Sequence, residues 1–563
     1  MLGFINRVTD EQEWHKKVIA TFVLSICWVF DDDIIAKWRA EVKSNREDFT
    51  EKMFDYCIQE LRYRAERFKP NSSKRGAIVV FNGKVVKSDY TVPEGVKLAL
   101  QSAIEPLESV PEAQKDWHPG SDGKLLCLLH PSLYPLVYGK TKVLPIGSQV
   151  TTLEDCISRC GEGAVVPTPI AKRNRVYYDS IYDPYSTKFQ WLPCEVDISG
   201  NRPKILSYIN NLHPEKHKDL YHSIEDIIEA AIPLWEISIA GINPEDPYST
   251  ASDVLRIPYS RVEYTPDFPS IPESDFPKRF TGERENDYHW RKIDWWEDNR
   301  TLVIPEPGLP FDPNRFESSD SDTLSFKEVH AKRGRPLQII VKIENIELTP
   351  EKPAYGAGMW HVEGQLNEHI CATAIYYRSC SNITDSDLAF RQVISDEAEA
   401  CIDYEQDNSA WLRAIFGCEH NEPKIQAAGA VKTIEGRLIT FPNTLQYGVE
   451  RFKLADRTKP GHMKIVVLFL VDPNVRIIST ASVPCQRLDW WKEANLTQVP
   501  LNSSPSLLES LPVEVQDQVF DQVQEFPISL QEAKESRLKL VRERRNFALD
   551  NQRVLEGRTF SLC

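Results

Sequence analysis

Positive charge is scarce in this sequence. Its 563 residues carry 83 Asp and Glu against 67 Lys and Arg, a formal net charge of −16. Holding nucleic acid through its phosphates, or docking on an anionic membrane, needs the opposite balance, so the composition argues against both partners. Long apolar runs are scarce as well. "VIATFVLSICWVF" (18–30) has 13 residues, too few to cross a bilayer, and is expected to pack as a buried helix turn or strand. The "MLGFINRVTDEQEWHKK" ahead of it lacks the apolar centre of a secretory signal. The 12 cysteines are scattered. Cys156 and Cys160 sit at helical spacing, and no further close pair completes a zinc site, which leaves reduced thiols. No G-x-S-x-G elbow, Walker A loop or dinucleotide-binding glycine pattern occurs, so nothing supports a nucleotide-dependent reaction. No internal repeat or low-complexity tract is present. A cytoplasmic enzyme or binding protein with a small-molecule ligand fits these absences; the oligomeric state stays open.

What is present divides the chain into four stretches. Residues 1–130 read as a helical region, with a capping-box pattern at Thr9 and Gln12 and a small hairpin over 75–90 turning at Asn82-Gly83. Residues 131–335 hold the helical "SYINNLHPEKHKDLYHSIEDIIEAAIPLW", with Pro214 near its first turn. They also hold a proline-rich segment, with 11 of the chain's 38 prolines in 243–322, expected as extended coil wrapped over the core. From Leu337, short apolar runs alternate with turns: "LQIIVKIENIEL", "MWHVEG", "HICATAIYY", "GAVKTI", "RLITF" and "KIVVLFLVDP". This pattern predicts an all-β sandwich or barrel over 336–490. Residues 491–563 read as helices, "VEVQDQVFDQVQEF" and a basic amphipathic one opened by Ser529 and Glu532. The fold class is α+β: two facing antiparallel sheets with helical segments at both ends.

One pair of residues in the β region carries chemistry. In "WHVEG", His361 and Glu363 stand at i and i+2, so in a strand they share a face and can reach one metal ion. That is two thirds of the facial triad of non-haem iron oxygenases. The motif His-x-Asp/Glu occurs four times, at His213, His217, His361 and His420, and only the third lies in a β run bounded by glycine. His213, His217 and His222 form a second histidine group, better explained as a polar helix start than as zinc ligands.

The long blocks "LHPSLYPLVYGKTKVLP", "FQWLPCEVDI", "LQIIVKIENIELTPEKPAYGAGMWHVEGQLNEHICATAIYY" and "GRLITFPNTLQYGVERFKLADRTKPGHMKIVVLFLVDPNVRIISTASVPCQRLDWW" resemble a fungal family known as domain-of-unknown-function family 4246. That family in turn is similar to 2-oxoglutarate- and iron(II)-dependent oxygenases. The resemblance implies a double-stranded β-helix (jelly roll) core at 336–490 and a metal pair at His361 and Glu363. It also implies a distal ligand histidine where this chain has Tyr447, followed by Gly448, and a 2-oxoglutarate anchor where it has Met463. A phenol is a poorer neutral donor to Fe(II) than imidazole, and a thioether cannot pair with a carboxylate. Fe(II) can still meet His361 and Glu363, whereas ordinary turnover of 2-oxoglutarate is put in doubt. Rescue by a third nitrogen from His369 or His462, or by Lys464 beside Met463, is open, although Lys464 should face the opposite side of its strand.

Three functions follow from the resemblance: an iron oxygenase-like enzyme in fungal tailoring metabolism, a redox-neutral isomerase, cyclase or lyase using Tyr447 as acid/base, or a catalytically inactive ligand-binding relative.

Overall fold

The computed structural model describes residues 28–45, 49–67, 76–80, 84–170, 174–176, 180–182, 184–240, 260–308, 310–312, 324–394, 402–406, 408–497, 512, 515 and 526–560. The Thr9–Gln12 capping box, most of the first apolar run, the Asn82-Gly83 turn and most of the 513–526 helix lie outside these residues. Helices and antiparallel sheets are mixed. The helices α1 (Asp32–Asn45), α2 (Glu51–Arg67), α3 (Glu94–Glu108) and α4 (Lys218–Ile239) precede the main strands, and α5 (Leu530–Glu556) follows them. The strands that build the site are β1 (Ile78–Val79), β2 (Val86–Ser88), β3 (Leu125–Leu129), β4 (Cys194–Asp197), β5 (Lys204–Ile205), β6 (Leu337–Leu348) and β7 (Ile370–Ser381). They continue with β8 (Asp387–Val393), β9 (Ile425–Lys432), β10 (Leu438–Pro442), β11 (Gln446–Val449) and β12 (Gly461–Val471).

The large sheet runs in the order β1-β2-β10-β7-β12-β6-β4-β5, with β3 also paired to β6; the small one runs β9-β8-β11. A further stretch extends the small sheet. Ala354 and Tyr355 pair with Lys453 and Phe452, and His361 bridges to Tyr447, both antiparallel. Strands contributed by residues 78–88, 125–129 and 194–205 thus join the sheet built by 337–471.

Period-two alternation decides what each face meets. On β6, Leu337, Ile339, Val341 and Ile343 join an apolar cluster with Ile224, Ile227, Leu234 and Trp235 of α4. Ile340, Ile346 and Leu348 turn the other way, into a second cluster. That cluster also takes Val467 and Phe469 of β12, Leu388 and Phe390 of β8, and Tyr447 of β11, so it fills the space between the two sheets. The central strands are buried on both faces. This is why their sequences read as nearly continuous apolar runs.

Four local expectations need correction. The helix of 206–240 begins at Lys218, beyond Pro214. His213 Nδ1 accepts the N–H groups of Glu215 and Lys216 at 3.2 and 3.3 Å, closing a separate turn first. The proline-rich segment is not all extended, because a helix spans Glu285–Asn299. It lies in the proline-free interval between Pro277 and Pro305. "MWHVEG" contributes a single bridge at His361 rather than a full strand. At the C-terminal end, the Ser529 hydroxyl accepts from Glu532 N as expected, but the Glu532 carboxylate pairs with Lys140.

The far end of the large sheet is tied to α3 by charge. Glu108 takes Arg378 of β7, Lys464 of β12 with its Nζ at 2.8 Å, and Asn345 of β6 at 2.9 Å. Burial pushes the Glu108 carboxyl up, but Arg378 and Lys464 outweigh it and hold the pKa at about 2, below its ordinary 4.5. A carboxylate depressed in the folded state adds stability that is full above about pH 4.5 and fades as pH falls towards 2. Glu108→Gln is therefore expected to lower the urea midpoint at pH 7, with the difference from wild type shrinking between pH 4.5 and pH 2. Gly364 gives a second test. Its φ is +70°, and an added Cβ would lie 2.6 Å from Glu368 Oε2 and 2.8 Å from Ile370 Cδ1. Gly364→Ala should cost more than about 1 kcal/mol in urea unfolding.

Candidate functional site

His361 and Tyr447 are joined through their backbones: His361 N donates to Tyr447 O at 3.3 Å, and Tyr447 N to His361 O at 3.0 Å. The exchange puts both side chains on the interior face, ring centroids 4.5 Å apart. Phe441 packs edge-on against Tyr447 at 4.8 Å. Glu363, two residues beyond His361, is clamped by Asn443. Its N–H donates to Asn443 Oδ1 at 2.9 Å, while Asn443 Nδ2 donates back to Glu363 O at 2.9 Å and to Ile370 O at 3.0 Å. The turn that follows is held by the buried Glu368, which takes Trp191 N at 2.7 Å, Gln365 N at 3.0 Å and the Arg544 guanidinium.

The three functional groups converge. His361 Nε2 lies 3.4 Å from Glu363 Oε1, and the Tyr447 hydroxyl donates to the same oxygen. His361 Nδ1 lies 2.8 Å from Met359 O, and a carbonyl oxygen can only accept. Nδ1 therefore carries a proton, and in the neutral ring Nε2 is the lone-pair nitrogen, aimed at the carboxylate. An N···O separation of 3.4 Å allows one ion to sit about 2.0–2.2 Å from both atoms. Burial alone would weaken both charges. It pulls the His361 imidazolium down, but Glu363 more than offsets this and raises it above 6.5. It pushes the Glu363 carboxyl up, but His361 and Lys342 hold it far below the ordinary range. Tyr447 is pushed well above 10 by burial and by Glu363, so it stays a neutral donor.

Behind this trio lies a polar layer that the sequence reading missed. On β6, Lys342 and Glu344 take the interior parity and form an ion pair at 2.8 Å. Burial lowers the Lys342 ammonium, and the carboxylates of Glu344 and Glu363 raise it past its ordinary value. The signal was available. "LQIIVKIENIEL" is apolar on both faces, so a Lys and a Glu two residues apart inside it must share one buried face.

Cys127, His130 and Glu344 come within 4.8 Å of one another through their donor atoms. Their chemistry does not fit a metal through His130 Nε2. Ser132 N donates to His130 Nδ1 at 3.1 Å, which puts the neutral ring's proton on Nε2, the atom facing Glu344 Oε1 at 3.6 Å. Burial also pushes the Cys127 thiol up, away from the thiolate form a metal needs. Of the two groups, only His361–Glu363 presents an imidazole lone pair.

The remaining residues fall elsewhere. Met463 is buried in the same inter-sheet cluster as Tyr447. Lys464 faces the opposite side and pairs with Glu108. His462 Nε2 meets Ser379 Oγ at 2.9 Å. His369 ends the turn Leu366–Glu368 with φ +46°. Its charged neighbour is Asp472, and burial lowers its pKa. No hydrogen bond or ion pair ties it to His361, Glu363 or Tyr447 among the described residues.

A family model described as "Protein of unknown function (DUF4246)" matches residues 51–494. The chain belongs to this family. Comparison with curated proteins finds no match. Two solved structures show a distant likeness. The Fe(II)/α-ketoglutarate-dependent dioxygenase TqaL matches at 13% identity and TM-score 0.16, over 26% of this chain and 47% of that one. A BsmA homologue from Methylobium petroleophilum PM1 matches at 12% identity and TM-score 0.15, over 31% and 57%. The matches thus span about half the length of those structures, and at such TM-scores the likeness does not bear on chemistry.

Tyr447→Phe removes the phenolic donor to Glu363 and keeps the ring. Loss of a hydrogen bond to a buried carboxylate should cost about 1.5–3 kcal/mol, read as a lower urea midpoint with secondary structure unchanged by circular dichroism.

Proposed function

We propose that the two sheets form a double-stranded β-helix whose interior holds a divalent metal ion between His361 and Glu363. On this reading the chain is a non-haem iron oxygenase-like enzyme acting on a small molecule. The order of strands supports the fold. In chain order β6 lies in the large sheet, 354–361 in the small, β7 in the large, β8 and β9 in the small, β10 in the large, β11 in the small and β12 in the large. The observation that carries the function is the imidazole tautomer: Met359 O fixes the Nδ1 proton, so in the neutral ring Nε2 is the nitrogen left to take a metal beside Glu363.

Iron, when bound, would supply redox chemistry towards dioxygen. The chain's own residues do the rest. His361 and Glu363 hold the ion, Asn443 and Glu368 fix the backbone around Glu363, and Tyr447 keeps a proton on its hydroxyl beside the ligand oxygen. The third ligand position is filled by a phenol that donates to Glu363 instead of offering a lone pair. 2-Oxoglutarate fits poorly, since Met463 brings no cation to the place its distal carboxylate would need.

A second reading is redox-neutral catalysis with Tyr447 as general acid. The hydrogen bond from Tyr447 to Glu363 favours it, because the carboxylate keeps the phenol protonated and oriented at the site, the state a general acid needs.

Metal analysis of the purified chain should find bound iron that His361→Ala and Glu363→Ala both lose. Tyr447→His should raise iron affinity by adding a neutral donor. The double change with Met463→Arg should be needed before 2-oxoglutarate binds well. A wild-type chain that retains no metal sinks the iron reading, and activity undiminished without oxygen supports the redox-neutral one.

A further inference from the structure

Lys342 has no part in the metal pair, but it faces the same interior between the two sheets, and its charge helps hold the Glu363 carboxyl below the ordinary range. It projects from β6 on the interior parity, two residues from Glu344 and opposite Val467 of β12. An ammonium has three N–H donors. Among the described residues Glu344 is its one ion-pair partner, at 2.8 Å, and the side chain stays 20% exposed although the strand around it is buried. Two donors are left to face whatever occupies the space between the sheets.

The local charge says what that occupant should be. Glu344 and Glu363 against Lys342 leave the group one negative charge, with His361 neutral as a metal ligand and Tyr447 uncharged. A dication makes the group singly positive, and one ligand carboxylate restores neutrality. A second carboxylate would meet no cation on the β12 side, where Met463, Val467 and Phe469 belong to the apolar cluster. Burying it there unpaired is costly.

We infer that Lys342 holds the carboxylate of a small monocarboxylic ligand in the His361–Glu363 site. The inference rests on the metal reading above for its charge balance. The ammonium supplies one or two hydrogen bonds to the carboxylate, while the ligand's uncharged end lies along the apolar interior of β12.

Titration of the full chain with Mn(II), followed by water-proton relaxation, measures the metal step. Pyruvate and 2-oxoglutarate added to the Mn(II)-loaded chain then measure the carboxylate step. Pyruvate is expected to perturb the relaxation saturably, and 2-oxoglutarate to bind no more tightly. Lys342→Met, which removes a cation beside a dication site, should leave Mn(II) binding at least as tight and weaken pyruvate by about tenfold or more, with Lys342→Arg recovering part of the loss. Equal pyruvate binding by wild type and Lys342→Met overturns the inference, as does tighter binding of 2-oxoglutarate or a Mn(II)-loaded chain that binds neither acid. If Mn(II) itself fails to bind, the metal reading falls. Calorimetric titration of pyruvate into the metal-free chain then decides the matter: binding lost in Lys342→Met supports the role of Lys342, and no binding overturns it. Should Lys342→Met fail to fold, Lys342→Gln serves in its place, under the same two outcomes.

Discussion

Two backbone hydrogen bonds between His361 and Tyr447 set the geometry on which the rest of the site depends. They join a stretch that makes no continuous strand to one that does, and they fix its register at a single residue pair. A slip of one position would send His361 and Glu363 to the outer face together, because side chains alternate with period two. Beside the bridge, Gly448 packs against Gly358 and Met359, where an added Cβ would stand in ordinary contact, 3.4 and 3.7 Å from their carbonyl oxygens. On the outer side, Arg391 stacks over Trp360 at 4.8 Å and donates to Gln446, bracing both partners of the pair. Tyr447 is therefore held from both sides of its strand.

Two histidines in neighbouring layers show how backbone groups assign chemistry to a side chain. The ring of His361 gives its Nδ1 proton to a carbonyl, and that of His130 receives one from an amide. The same imidazole becomes a lone-pair donor in one place and an N–H donor in the other. Burial and the nearby cations, Lys342 among them, push His130 well below its ordinary pKa, which keeps it neutral. Around them the charges are arranged so that each carboxylate has a cation: Lys342 beside Glu344, Arg544 on Glu368, and Arg537 bidentate on Asp116.

Much of the fold was legible from pattern. "LQIIVKIENIEL" spans the observed β6 to the residue, and "RLITF" and "KIVVLFLVDP" fall on β10 and β12. Such runs are long, apolar on both faces and bounded by turns, so period and length agree. Composition misled over 243–322, where proline density hid a helix that needs only a proline-free interval. At the site, the spacing of His361 and Glu363 was readable because i and i+2 share a face. Lys342 and Glu344 were open to the same rule and were passed over, whereas their meeting with Cys127 and His130 depends on the pairing of β3 with β6, which brings together residues more than 200 positions apart. Nor could any spacing rule reveal that Asn443 clamps Glu363, or that Ser132 sets the His130 tautomer.

The last helix of the chain reaches back across much of the sequence. From α5, Glu532 pairs with Lys140, Arg537 with Asp116, and Arg544 with Glu368 while lying 3.5 Å over the Trp191 ring. Trp191 in turn stacks on Phe469 of β12. A nascent chain cannot make these contacts until residues 530–556 have left the ribosome. The turn behind Glu363 must then wait, with its buried Glu368 lacking a guanidinium, until α5 has been synthesised. Completion of the site thus depends on the synthesis of α5, and a ribosome stalled upstream of it would display a β core whose turn behind Glu363 is not yet fastened.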